Sequence, residues 1–268
     1  MPERGNVPRA LTIAGSDSGG GAGIQADLKT FQALGVFGMT AITAVTVQNT
    51  KGVSGYVELP PATVGEQIRA VVTDIGVDAA KTGMLSSAPI IMEVAEALAE
   101  AGLSNLVVDP VFVSKHGHSL LREDAVDALR TRLLPLARLV TPNLDEAAGL
   151  AGFPVATDQD MERAGQVILD LGPEAVLVKG GHREGEQATD LLITGEGIQP
   201  FSTDRIDTSD THGTGCVLSA AIASYLARGE VLVEAVARGK EFVTEAIRHA
   251  LRLGEGIGPV DPSWELKP

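Results

Sequence analysis

The sequence predicts an α/β fold, a three-layer αβα sandwich with a mostly parallel central sheet and an antiparallel hairpin at one edge. Short apolar runs alternate with amphipathic segments from residue 10 to residue 252. Hydrophobic residues make up 44% of the 268-residue chain, but aromatics only 3%. A core drawn from Ala, Val, Leu and Ile suits buried parallel strands covered by helices better than it suits a β-sandwich.

Ala10–Ala14 is a buried strand that ends in a glycine-rich loop, after which Ile24, Leu28, Phe31 and Leu34 recur at helical spacing. Met39–Val47, rich in Thr, Val and Ile, is a second strand, followed by a helix with Val64, Ile68, Val71, Val72 and Ile75 on one face. The rhythm continues with a strand at Val77–Lys81, a helix carrying Ile90, Ile91, Val94 and Leu98, and a strand at Leu106–Val108 closed by Asp109-Pro110. A helix near Asp124–Leu134, a strand at Leu139–Thr141, a helix at Asp158–Leu171 and a strand at Ala175–Val178 come next. Asp190–Ile193 and Ile198–Ser202, joined at Gly195-Glu196-Gly197, form the edge hairpin. Helices near Val217–Arg228 and Val231–Arg252 finish the fold. Parallel neighbours need right-handed crossovers, so ligands are expected at the carboxyl ends of the strands. With no linker and no internal repeat, residues 1–268 are expected to form one domain.

The formal net charge is −14, and no basic tract exceeds two residues. Neither nucleic acid nor membrane is therefore an expected partner. Acidity does not exclude a nucleotide, because backbone amides and a divalent cation hold phosphates without net positive charge. The first nine residues lack the apolar core of a signal peptide, and the single cysteine cannot form an intramolecular disulfide. A cytoplasmic protein is expected.

Two glycine clusters carry the chemistry. Gly15–Gly23 lies between a strand and a helix, so backbone can approach a ligand closely. It is neither a strict G-x-G-x-x-G, because Ile24 occupies the last glycine position, nor a Walker A loop. Thr211-His212-Gly213-Thr214-Gly215-Cys216 opens a helix whose free first-turn amides and dipole suit a transferring phosphoryl group. Cys216 sits in that first turn, where the dipole would lower its pKa and favour a catalytic thiolate; the plainer alternative is a small buried hydrophobe. Asn143 and Glu146, three apart at a helix start, suit either a metal–phosphate group or a capping pair. Asp109 at a strand end suits a magnesium-linked role, and Lys179 in Lys179-Gly180-Gly181-His182 follows a strand toward the same end of the sheet. His116 and His118 lack a third ligand and are assigned to a mobile loop.

Ala14-Gly15-Ser16-Asp17, Gln48-Asn49-Thr50, Lys81-Thr82-Gly83-Met84, Thr141-Pro142-Asn143-Leu144-Asp145-Glu146, Lys179–His182 and Thr211–Cys216 together resemble the hydroxymethylpyrimidine/phosphomethylpyrimidine kinases of thiamin biosynthesis. The resemblance covers nearly the whole chain and implies a ribokinase-like fold. Most of that superfamily carries Asp where this chain has Cys216. By this resemblance Gly15, Asp27, Gln48, Met84 and Val111 line the pyrimidine pocket, and Asn143, Lys179, Thr211 and Gly213 lie at ATP. Asp109 and Glu146 would manage Mg²⁺, while Gly213, Thr214, Gly215 and Cys216 would cradle the transferred phosphoryl group. The implied substrates are ATP and the pyrimidine alcohol, then its monophosphate, and a homodimer is the expected assembly. A pyridoxal kinase of the same branch is the alternative, disfavoured by Gln48-Asn49-Thr50. A non-catalytic nucleotide-binding module would not require Cys216 or the Asn143/Glu146 pair.

Overall fold

The first strand, β1 (Arg9–Ser16), is buried along six consecutive residues because it has parallel neighbours on both sides and helices on both faces. In the computed structural model, which describes residues 7–112, 123–181 and 185–266, the chain continues through α1 (Gly23–Ala33) to β2 (Phe37–Asn49). A tight turn leads into β3 (Gly52–Glu58), antiparallel to β2. Helix α2 (Pro61–Asp74) then carries the chain to the other side of β1, where β4 (Ala79–Thr82), α3 (Ala88–Ala101), β5 (Leu106–Val108), α4 (Glu123–Ala128) and β6 (Leu139–Val140) follow. Next are α5 (Leu144–Ala151), α6 (Asp158–Leu169), β7 (Ala175–Lys179) and the hairpin β8 (Gln187–Thr194) and β9 (Gly197–Asp204). The last elements are α7 (Thr214–Ala227) and α8 (Leu232–Arg248).

The nine strands form one sheet in the order β3-β2-β1-β4-β5-β6-β7-β8-β9. Strands β2, β1, β4, β5, β6 and β7 run parallel, and antiparallel strands flank them at both edges. One core packs α2, α3, α4, α5 and α6 against the sheet; the other packs α1, α7 and α8 against the opposite face. Helix α7 is buried from Val217 to Leu226, because it is covered by the sheet, α1 and α8 and so is apolar all round. Because the chain leaves β1 toward β2 and returns to β4 on its other side, the loops after β1 and β4 diverge, and a crevice opens at their carboxyl ends.

The structure departs from the sequence reading in three places. Strand β3 was not expected, and together with β2 it leaves Val45, Val47 and Val57 47%, 63% and 70% exposed. The expected helix near Asp124–Leu134 is α4 followed by one π-turn and a 3₁₀ turn. Helix α8 stops at Arg248 rather than Arg252, because the Leu251 N–H donates to the Pro259 carbonyl at 2.8 Å instead of continuing the helix. His116, His118 and His182 lie outside the described residues. Among those described, no helix is long and apolar enough to cross a membrane.

Candidate active site

The two glycine clusters are locked together, and one carboxylate does most of the fastening. Asp17, 3% exposed, accepts from the amides of Gly19 (2.7 Å), Gly21 (3.0 Å) and Ala22 (2.8 Å) and pairs with His212 Nε2 at 2.9 Å. Burial alone would raise its pKa, but the hydrogen bonds from His212 and these amides hold it below the usual carboxylate value. The first loop is therefore a fixed structure rather than a flexible turn. Gly213 begins α7 with φ +84°, and a Cβ there would lie 1.9 Å from the Gly21 carbonyl oxygen. Only glycine satisfies both the left-handed backbone and this approach.

Between the loops lies a cavity of ≈ 900 Å³ at the carboxyl ends of the parallel strands. Its lining includes Gly15, Met84 and Val111, which pack together, the Asp109–Lys179–Glu146 group, and Gln48, Asn143 and Thr211. Gly213, Thr214, Gly215 and Cys216 line it as well, and a Cβ on Gly215 would lie 3.5 Å from both Asp109 Oδ2 and Lys179 Nζ. Helix α7 starts there, so its first turn, where an α-helix leaves amides without internal partners, lies at the cavity; the Thr214 amide reaches the Thr211 carbonyl at 3.4 Å. The cleft continues past Asp190, Thr203, Lys240 and Thr244. Asp27 is the one sequence-predicted site residue that does not reach the cavity: it is 0% exposed and lies behind Lys81, whose ammonium it holds at 3.0 and 2.9 Å.

Besides Asp17–His212, three ionic clusters lie at the cavity among the described residues. Lys179 Nζ sits 2.9 Å from Asp109 Oδ1 and 3.8 Å from Glu146 Oε2. Burial raises the Glu146 carboxyl to about 7; Lys179 pulls it down and Asp109 pushes it up. Asn143 and Glu146 form a full capping box on α5, at 2.8 and 2.9 Å, while both also face the cavity. The capping and ligand readings of this pair are thus compatible. The second cluster is Asp27–Lys81, completed by Thr12 Oγ1, which donates to Asp27 at 2.6 Å. In the third, Lys240 Nζ meets Asp190 Oδ2 at 2.7 Å, and the Gly180 amide caps the other oxygen at 2.9 Å.

The expected low pKa of Cys216 does not hold. Burial raises the thiol to about 11, outweighing the opposing pull of Lys81 and of a hydrogen bond from the Gly23 amide. Desolvation of the sulfur, reinforced by the Asp27 and Asp109 carboxylates, costs the thiolate more than Lys81 and the Gly23 amide return. The sequence reading also gave no role to Lys81 or His212. A signal existed for Lys81: Asp27 falls on the apolar stripe of α1 between Ile24 and Phe31, and a carboxylate there requires a buried partner.

The profile of the family described as phosphomethylpyrimidine kinase matches residues 17–261. A hydroxymethylpyrimidine/phosphomethylpyrimidine kinase of Streptomyces coelicolor is 54% identical over 259 residues, covering 97% of this chain and 96% of that protein. A thiamine biosynthesis bifunctional protein of Geobacter sulfurreducens is 50% identical over 258 residues, 96% of this chain and 52% of the longer protein. Among solved structures, an ADP complex of Bacillus subtilis pyridoxal kinase superposes with a TM-score of 0.91 at 42% identity, covering 97% of this chain and 100% of that one.

Proposed function

Because the chain belongs to the phosphomethylpyrimidine kinase family, we propose that it transfers the γ-phosphoryl group of ATP to the hydroxymethyl group of 4-amino-5-hydroxymethyl-2-methylpyrimidine. A second transfer to the monophosphate then gives the diphosphate, as a phosphotransferase of thiamin biosynthesis. The observation that carries this reading is the shared lining of the cleft. Cys216 and the first turn of α7 line the same cavity as Gln48 and Met84, which we assign to the acceptor, and Asp109, Asn143 and Lys179, which we assign to the donor. Transfer between two bound substrates needs this arrangement, since catalysis comes chiefly from in-line positioning and from donors aimed at the developing charge.

On the donor side, Asn143, Lys179, Thr211 and Gly213 would hold the nucleotide, whose remainder would extend past Thr203 and Thr244. Asp109 and Glu146 would hold Mg²⁺, which supplies charge neutralisation on the phosphates. The donor set fits, because Mg²⁺ keeps several waters and commonly takes one or two protein carboxylates beside the phosphates. Glu146 is protonated below about 7 and ionised above it. The magnesium concentration for half-maximal rate should therefore fall as pH rises from about 6 to about 8, and Glu146→Gln should raise it and flatten its slope. An unchanged magnesium profile in the variant would leave Glu146 only its capping role.

On the acceptor side, Gly15, Met84 and Val111 would enclose the ring and Gln48 would hydrogen-bond its edge. Gln48→Ala should lower the specificity constant for the pyrimidine alcohol by roughly tenfold to a hundredfold, the cost of an unpaired buried polar group. Unchanged kinetics would remove Gln48 from the pocket. The likeness to a pyridoxal kinase favours pyridoxal as a second, poorer acceptor.

We read residues 1–268 as one kinase domain, because a single sheet supplies both sides of the cleft. A homodimer is supported by the exposed valines of the β2–β3 ribbon, and a cytoplasmic location by the substrates.

A further inference from the structure

Gln48 can recognise a substrate only if its amide presents a fixed edge, and the neighbouring protons determine which edge that is. Its backbone is fixed first: the Gln48 amide donates to Ser18 Oγ and its carbonyl accepts from the same hydroxyl, both at 2.8 Å. One end of the side-chain amide lies 3.3 Å from His212 Nε2, and the other lies 3.3 Å from Thr46 Oγ1. Placing the NH₂ toward His212 and the oxygen toward Thr46 fails on proton count. His212 Nε2 also faces the Asp17 carboxylate at 2.9 Å, and Asp17 is held ionised by its other donors. A bare Nε2 would set a lone pair against that anion, so Nε2 carries the proton whether the ring is neutral or charged. An NH₂ there would oppose N–H with N–H, whereas an amide oxygen can share the one Nε2 proton with Asp17 in a three-centre bond, the shorter arm to Asp17 at 2.9 Å and the longer to Gln48 at 3.3 Å. At the other end, the single Thr46 hydroxyl proton is already donated to the Ser16 carbonyl at 2.9 Å, so Thr46 has only a lone pair to offer Gln48. The oxygen and nitrogen of an amide are assigned by such partners and not by shape.

We propose that Asp17, through His212, is a specificity device. The pair holds the Gln48 amide with its oxygen toward His212 and its nitrogen toward Thr46. One oxygen lone pair and one N–H are left for the acceptor, side by side on the cavity wall. That edge matches a ring nitrogen next to an exocyclic amino group: the amide N–H donates to the ring nitrogen and the amide oxygen accepts from the amine. Asp17 and His212 are positioning residues in this scheme. They act through Gln48, and the selectivity they confer is for an amino-substituted ring. The inference rests on the acceptor pocket proposed above.

The test measures specificity constants for the aminopyrimidine alcohol and for its analogue lacking the amino group, in the parent, in His212→Leu and in His212→Gln. The parent should prefer the amino compound by about tenfold to a hundredfold. In His212→Leu the amide is free to turn and the preference should fall to within about threefold. His212→Gln can place an N–H near the same point and should recover much of it. A folded, active leucine variant that keeps the parent's preference overturns the proposal. Nitrogen NMR of the unsubstituted protein gives a second reading that needs no variant. His212 Nε2 should be protonated, and a tautomer protonated only at Nδ1 overturns the proposal even if the leucine variant does not fold. A parent that uses neither pyrimidine would instead contradict the proposed function, and the NMR result would still decide the orientation of Gln48.

Discussion

Replacing Cys216 with alanine should slow phosphorylation of the pyrimidine alcohol by roughly 10²–10⁴, the usual share of general-base catalysis, and slow phosphorylation of the monophosphate much less. The two acceptors differ in how much help they need. A primary alcohol holds its proton tightly, whereas a phosphate monoester has a second pKa near 6 and already presents an anionic oxygen at neutral pH. The raised thiol adds a second signature. With a pKa near 11, Cys216 is almost wholly protonated at neutral pH, and its thiolate fraction grows about tenfold per pH unit below that value. The alcohol step should therefore climb with pH from about 7 to about 9, while the monophosphate step stays flatter. Cys216→Asp should restore part of the first step and flatten its pH dependence, since a carboxylate is already ionised there. Step-resolved rates in both variants, after showing that ATP still binds, check this. Equal losses in the two steps of the alanine variant would mean that Cys216 packs the helix start and moves no proton.

Lys81→Met should cost about 3–5 kcal/mol of stability, the typical penalty for removing one partner of a buried ion pair. Both side chains of the Lys81–Asp27 pair are 0% exposed. Removing Lys81 leaves a carboxylate with only the Thr12 hydroxyl for company, in a place where burial already raises the Asp27 pKa. The double variant Lys81→Met/Asp27→Asn should be clearly more stable than the single one, because it has no orphaned charge. Urea unfolding midpoints of the parent and both variants decide the matter. A single variant within about 1 kcal/mol of the parent would show that Asp27 simply takes up a proton when Lys81 is lost.

These residues also mark how far the sequence could be read. The βα rhythm was legible because buried parallel strands are apolar runs and their crossover helices carry one apolar stripe, so most elements fell within a few residues of place. Strand β3 was not legible: its alternation is interrupted by Gly55, and three of the ribbon's valines face outward. The glycine clusters, Asp109, Glu146 and Lys179 could be proposed for the site because each follows a strand or opens a helix, whereas Gln48 entered through the family resemblance. Asp27 was drawn into the substrate pocket by family resemblance, although its place on the apolar stripe of α1 already pointed to a buried partner. The Cys216 pKa was misjudged for a related reason. A helix start is visible in sequence, whereas the desolvation of the thiol depends on what the folded chain packs around it.

The most direct measurement is a phosphorus-NMR assay of the unsubstituted protein with ATP, magnesium and each acceptor in turn. The account predicts that the pyrimidine alcohol is converted to the monophosphate and then to the diphosphate, with pyridoxal used more slowly. Turnover of pyridoxal with neither pyrimidine phosphorylated, or ATP loss without a phosphorylated acceptor, would contradict it.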